Sequence, residues 1–243
     1  MDQPVTGTLN KKVSATGDES TVGWECAGGR NTQGGLTMLG DLSAKYESNG
    51  DPGAVSNGDG DASGVSYGVY QFATNSGVPM EFTMWLSKEG YAYANQLAGA
   101  APGTTAFGQR WRAVAATDPD GFLAAQQKYA TLVYYEPAKN KLEANYYFPD
   151  NHQEAVRQVI FSAAVQYSSY YLPELFFTAC NKLGYQNLFE VDAVDFDAAM
   201  ILAIYDVRAT DEWINGSTEW CAALRNRLLD ECIDASALLK NQD

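Results

Sequence analysis

One histidine, four cysteines, few basic residues and no long apolar run mark this chain of 243 residues, and each scarcity excludes something. With His152 alone and no Cys-x-x-Cys pair, the closely spaced Cys and His set of a zinc site is missing. His152 in "FPDNHQEAV" also has no Ser or Cys nucleophile in a recognisable setting, and the spacing places it in the first turn of a helix as a surface or capping residue. Cys26, Cys180, Cys221 and Cys232 are scattered, which fits structural thiols, or one disulfide if the protein works outside the cytoplasm. The longest apolar runs, "VIFSAAV" and "MILAIY", fall far short of the roughly 20 residues a spanning helix needs, so no membrane span is expected. The segment "MDQPVTGTLNKKVSATGDES" lacks the apolar core of a signal peptide, so delivery is expected to depend on another apparatus. Lys and Arg number 16 against 30 Asp and Glu, a net charge of -14 that argues against a surface neutralising nucleic-acid phosphates. "GDGDASG" has neither the preceding strand nor the Gly-Lys-Ser ending of a phosphate loop, and "DPGAVSNGDGD" lacks the ligand order and terminal Glu of a calcium-binding EF-hand. No metal, no cofactor and no nucleic-acid partner is expected.

What is present is enough apolar material, 46% of the residues, to bury a sizeable core. Residues 1–35, rich in Gly, Thr, Ser and Asn, read as a linker or N-terminal arm, and 36–243 as one domain. Leu36, Leu39, Leu42 and Tyr46 fall at helical spacing, which predicts a short helix ending close to Glu47. Glycines at 50, 53, 58, 60 and 64, with Pro52 among them, then exclude a helix up to Ser66. Helical patterns return from Pro79. Ala155, Val156, Val159, Ile160, Ala163, Ala164 and Tyr167 form one wide apolar face, which predicts a buried helix. "DFDAAMILAIYDVRA" predicts another with Asp195 as N-cap, and "STEWCAALRNRLLDECIDASALL" a last one. Asp206, Arg208, Arg225 and Glu231 read as an ion-pair network joining the last two helices, and Glu136 in "YYEP" as structural. The fold class is mainly α, with a small β or loop element around residues 48–72.

The chemistry concentrates in "YESNGDPGAVSNGDGDASGVSYGVYQF", residues 46–72. A carboxylate at a helix end, packed against the apolar body of a domain, is partly desolvated, which suits a general acid; Glu47 has that position. Asp51, Asp59 and Asp61 sit on a Gly-rich segment open to water, where a carboxylate stays ionised and can activate a water or stabilise a sugar cation. Two carboxylates in unlike surroundings are what glycoside hydrolysis requires. Tyr67 and Tyr70 flank Gly68. Their rings either stack on pyranose faces in a cleft or pack in the core.

Glu47 and Ser48, followed by "SYGVYQF" with Gly68 and Gln71, resemble the lysozyme-like superfamily, which includes lytic transglycosylases and goose-type lysozymes. There a catalytic Glu and its Ser precede a Gly-x-x-Gln segment that lines the saccharide cleft. "SNGDGDASGVSYGVYQF" also looks like the "DGRG...G...GF" segment of chitosanase-type members, in which a loop Asp is the second carboxylate, although the Arg is missing here. The resemblance implies a phage-type or toxin-type muramidase. Glu47 would be the acid and Asp59 or Asp61 its partner, with Ser48, Tyr67, Gly68, Tyr70 and Gln71 at the substrate. "NGDG" places Asp59 first among the loop aspartates. The implied partners are peptidoglycan glycan strands and a phage tail, secretion machine or immunity protein, with the domain delivered to the cell wall or periplasm. Two alternatives stand beside this: a lytic transglycosylase with a single Glu, and a non-enzymatic lysozyme-like tail or carbohydrate-binding module.

Overall fold

In the computed structural model, residues 9–12, 23–26, 38–58, 63–214 and 218–240 are described. They fall into two units, Met1–Leu42 with Ala138–Asp243, and Ser43–Pro137. The stretch expected as an arm carries two antiparallel strands, β1 (Leu9–Lys12) and β2 (Gly23–Cys26), with Leu9 opposite Cys26.

Helix α1 (Asp41–Ser48) starts later than the apolar spacing predicts. Gly40 has a left-handed φ of 96°, which a helix interior cannot accept, so the helix begins after it. Gln158 caps this start: its Oε1 accepts from the Gly40 and Leu42 amides at 2.9 and 3.3 Å, and its Nε2 donates to the Met38 carbonyl at 2.6 Å. The amides at a helix start have no partner within the helix, and a buried glutamine here supplies one.

The unit Ser43–Pro137 continues with β3 (Ser66–Tyr67) and β4 (Phe72–Ala73), paired antiparallel with Tyr67 opposite Phe72. Four helices follow: α2 (Val78–Lys88), α3 (Tyr93–Leu97), α4 (Thr105–Thr117) and α5 (Pro119–Ala130). Their ends obey local chemistry. Thr104 caps α4 by accepting from the Phe107 amide at 3.2 Å, and Asp118 caps α5 by accepting from the Gly121 amide at 3.0 Å, with Pro119 in its first turn. After α5 the chain widens into a π turn, Thr131–Tyr135, before α6 (Glu136–Glu143). The core of this unit is aromatic: Trp111 lies 4.9 Å from Phe122 and Phe82 5.2 Å from Tyr129, centroid to centroid. Edge and tilted contacts of this kind add to the area each ring buries.

In the other unit α7 (Glu154–Tyr167) is buried along the face the sequence predicts, and α8 (Leu172–Lys182), α9 (Asp197–Arg208) and α10 (Thr218–Lys240) complete the helices. Asp195 is not the N-cap of α9. It lies in a 3-10 turn, Val194–Phe196, and the first-turn carboxylate is Asp197. The predicted ion-pair network is reorganised as well. Arg208 and Glu231, both 0% exposed, pair at 3.1 Å, and Ser162, Tyr205 and Gln166 complete the cluster across α7, α9 and α10. Burial works against the Arg208 charge, yet Glu231 and the neighbouring tyrosines more than offset this and raise its pKa. Asp206 pairs instead with Lys182, and Arg225 with Asp211. Cys180, Cys221 and Cys232 are free thiols, and among the described residues no helix is long and apolar enough to cross a membrane.

His152 departs most from its expected place. It is buried, not a surface cap, because two carboxylates surround it: Nδ1 is 2.5 Å from Asp197 Oδ1 and Nε2 is 2.9 Å from Asp192 Oδ1. Its ring stacks on Tyr147 with centroids 4.3 Å apart. Carboxylates only accept, so an imidazolium donating from both nitrogens satisfies the pair. Burial lowers the His152 pKa, but the hydrogen bonds and charges of Asp197 and Asp192 outweigh it, and the net shift is upward from 6.5. A raised folded-state value means that the contribution to stability is complete below pH 6.5 and is lost as pH rises through the folded value. Thermal unfolding across neutral to mildly alkaline pH should show that decline in the wild type. His152→Gln should flatten it, and an unchanged profile in the variant would assign the decline elsewhere.

Candidate active site

Glu47 and Ser48 close α1, and the chain leaves the helix through Asn49 at φ 56° and Gly50 at φ 76°. The Asn49 and Gly50 amides return to the Lys45 and Ala44 carbonyls at 3.2 and 3.0 Å. Left-handed residues of this kind end a helix abruptly and satisfy its last carbonyls. Glu47 is thus half-buried on the final turn of the helix, ahead of the Gly-rich stretch that follows it in sequence.

A set of hydrogen bonds fixes that turn against the Gly68–Gln71 segment. The single Ser48 hydroxyl proton is shared between the Ala44 and Val69 carbonyls, 3.4 and 3.3 Å from Oγ. The Val69 amide donates to Gln126 Oε1 at 2.9 Å, and Gln126 Nε2 donates to the Pro52 carbonyl at 3.0 Å, which also accepts from Trp111 Nε1 at 2.9 Å. The Gly68 amide reaches the Ala54 carbonyl at 2.8 Å. Gly68 is required twice over: its φ is +70°, and a Cβ there would sit 2.0 Å from Gln126 Oε1 and 2.9 Å from Trp111. Gln71, at φ 50°, folds its side chain onto the same turn, with Nε2 donating to the Gly68 carbonyl at 2.9 Å. Ser48, Gly68 and Gln71, separated by two dozen residues in sequence, are therefore parts of one bonded frame, and Glu47 is the residue next to Ser48 on that turn.

The loop aspartates divide. Asp51 is exposed, and its Oδ1 accepts from the Gly53 amide at 2.8 Å, a local turn. Asp59 and Asp61 lie outside the described residues. The chain on either side of them is anchored: the Ser56 amide donates to the Ser66 carbonyl at 2.9 Å, the Ser66 amide to Ser56 Oγ at 2.8 Å, and Val55 bridges Tyr67.

The tyrosine expectation needs correcting. Tyr67 is 0% and Tyr70 2% exposed, so neither offers a ring face to a ligand. Tyr67 packs edge-on to Phe107 at 5.1 Å, and its hydroxyl accepts from the Gly103 amide at 2.9 Å. The burial follows from the bridge on one side and the β4 pairing on the other, which turn this strand into the unit's core. Glu136 is exposed in the first turn of α6.

Sequence reading missed three contributors. Gln126 and Trp111 build the frame from α5 and α4, and the signal for Gln126 was a polar side chain on the apolar face of Phe122, Ala125 and Tyr129. The third is Tyr134, on the π turn. Burial, and then the charges of Tyr129, Glu81 and Glu47, push its phenol far up, so it stays protonated within the field of Glu47. Tyr129 is likewise pushed up to about 12 by burial and by Glu81. No group of three or more potential metal ligands occurs among the described residues. A half-buried carboxyl on the last turn of a helix, such as Glu47, can deliver a proton to a bound oxygen.

Two solved structures share the fold. A native chitosanase from Bacillus subtilis MY002 superposes with a TM-score of 0.54 at 19% identity, covering 83% of this chain and 86% of its own. A Gynuella sunshinyii GH46 chitosanase in complex with chitotetraose gives 0.51 at 16%, covering 85% and 89%. The mainly α, lysozyme-like fold expected from the sequence is thus the one observed. In sequence, the Type VI secretion system spike protein VgrG3 of Vibrio cholerae serotype O1 is 27% identical over 194 residues, which is 79% of this chain and 18% of that protein. The family model for the Type VI secretion system spike protein VgrG3-like C-terminal region matches residues 39–232, and this chain belongs to that family.

Proposed function

We propose that this domain is a glycoside hydrolase that cuts the glycan strands of peptidoglycan, with Glu47 as general acid and Asp59, or else Asp61, as the second carboxylate. The observation that carries this reading is the bonded frame around Glu47: Ser48 to Val69, Val69 to Gln126, and Gln126 with Trp111 to Pro52. Proton delivery depends on position, and a binding module has no need to fix the turn that carries one half-buried carboxyl. Ser48, Gly68 and Gln71 then act at the substrate side of the turn. The match to a spike protein's C-terminal region, together with the small share of the Vibrio cholerae protein that is matched, supports delivery to the wall by a secretion machine.

A second substrate reading has one observation in its favour. The net charge of -14 attracts a cationic glucosamine polymer more than it attracts an anionic wall, and chitosan is such a polymer.

Glutamine and asparagine scanning of the loop tests the two-carboxylate mechanism. Asp59→Asn should slow clearing of purified wall suspensions by about a hundredfold or more, and Asp61→Asn by much less. Full rates for both single variants and for the double variant would leave Glu47 without a carboxylate partner, as in a transglycosylase.

A further inference from the structure

The unit Met1–Leu42 with Ala138–Asp243 contains a pocket of about 500 Å³ that the proposed chemistry does not use. Its lining comes from three segments: Asn145 and Tyr146 after α6, Phe177 of α8, and Asn187 with Phe189 on the turn after α8. Tyr146 and Phe189 are the most open aromatic rings among these, 67% and 62% exposed. The segments that carry Tyr146 and Phe189 are fastened. Asp192 Oδ1 accepts from the Phe148 amide at 2.7 Å and meets His152 at 2.9 Å, which ties the segment after Tyr146 to the segment after Phe189. Asn187 and Glu190 cap the turn that carries Phe189 through a reciprocal pair of hydrogen bonds.

Tyr146 stands in a place that chain geometry reserves for glycine. It follows α6 with φ at 63°, its amide bonded to the Glu143 carbonyl at 3.0 Å and the Tyr147 amide to the Leu142 carbonyl at 3.1 Å, which is the helix stop where glycine or asparagine is preferred. A bulky aromatic is strained there, and its ring is given to solvent instead of to the core.

The lining has no charged residue, although the chain as a whole carries -14. Aromatic rings, two carboxamides and no charge match an uncharged ligand that has apolar faces and hydrogen-bonding edges. Asn145 Nδ2 donates to the Lys141 carbonyl at 2.8 Å, which leaves its Oδ1 to accept from a ligand hydroxyl or amide N–H. Volume, apolar lining and a few polar groups are in the range of small-ligand sites. We infer that this pocket is a second glycan-binding site, taking an N-acetylhexosamine unit with its ring against Tyr146 and Phe189. The choice of sugar rests on the wall-cleaving reading. The site itself rests on the pocket and on Tyr146.

The full chain carrying Glu47→Gln, so that the probe stays intact, is titrated with the soluble β-1,4-linked tetramer of N-acetylglucosamine while side-chain amide signals are followed by NMR. The signals of Asn145 and Asn187 should shift on titration. Tyr146→Gly should weaken the affinity read from those signals by about three- to tenfold while leaving the melting temperature equal or higher, because the strain is removed with the ring. Phe189→Ala should weaken it by a similar factor. Unmoved Asn145 and Asn187 signals, or shifts of equal affinity in Tyr146→Gly, would overturn the site. A domain that shifts these signals but fails to cut any wall retains the second site and loses the catalytic reading.

Discussion

Glu47→Gln should yield a folded protein whose wall-clearing rate has dropped by about two to four orders of magnitude. Glutamine keeps the shape of glutamate, so the end of α1 and its Ser48 to Val69 bond should survive, and what disappears is the transferable proton. Tyr134 sharpens the expectation. Its phenol is protonated, so replacing the neighbouring Glu47 by a neutral carboxamide removes a charge that it feels without leaving a buried charge unpaired. Wild type and variant are compared for clearing of purified wall suspensions at matched circular dichroism and melting temperature. Equal rates would remove Glu47 from the chemistry, whatever the fold resembles.

That the helix end carrying Glu47 could be read from sequence, while its surroundings could not, has a physical cause. The helix spacing of Leu39, Leu42 and Tyr46, followed by glycines and Pro52, is local information and marks the end of α1 directly. Gly40 sat inside the same pattern, and only its left-handed backbone shows that the helix starts after it. Tyr67 and Tyr70 illustrate the limit. Alternation told which residues share a face but not which face the core would take, and the bridge to Val55 with the pairing to Phe72 decided for burial. His152 was misplaced for a similar reason, since its partners Asp192 and Asp197 lie 40 and 45 residues away. Long-range polar bonds such as Gln126 to Val69 leave only a faint trace, one polar residue on an apolar helix face.

Gly68→Ala should be the most damaging single-methyl change in the candidate site. The added Cβ would meet Gln126 Oε1 at 2.0 Å and Trp111 at 2.9 Å while φ stays at +70°, so the strain of a left-handed alanine and the clash act together. A loss on the order of 3 kcal/mol follows, which for a chain of this size lowers the melting temperature by about 10 °C. Gly50→Ala is the natural control. Its φ is +76°, but nothing lies within 4 Å of a Cβ there, so only the backbone term of about 1 kcal/mol remains. Displacing Gln126 would also release Val69, whose carbonyl accepts from Ser48 beside Glu47, so wall clearing should fall further than stability alone predicts. Equal losses of stability for the two alanine variants would mean that the contacts of Gly68 with Gln126 and Trp111 are not what holds this turn.

The most direct test of the central claim is the chemistry of the products. Purified peptidoglycan is digested with the wild-type domain and, in parallel, with Glu47→Gln, and the released fragments are treated with borohydride and weighed by mass spectrometry. A hydrolase with a second, ionised carboxylate activates water at the anomeric carbon, so wild-type fragments should carry reducing ends and gain the mass of two hydrogens, while the variant releases almost none. Fragments that end in anhydro rings and resist borohydride would contradict the two-carboxylate mechanism, and an untouched wall beside a digested chitosan would contradict peptidoglycan as the substrate.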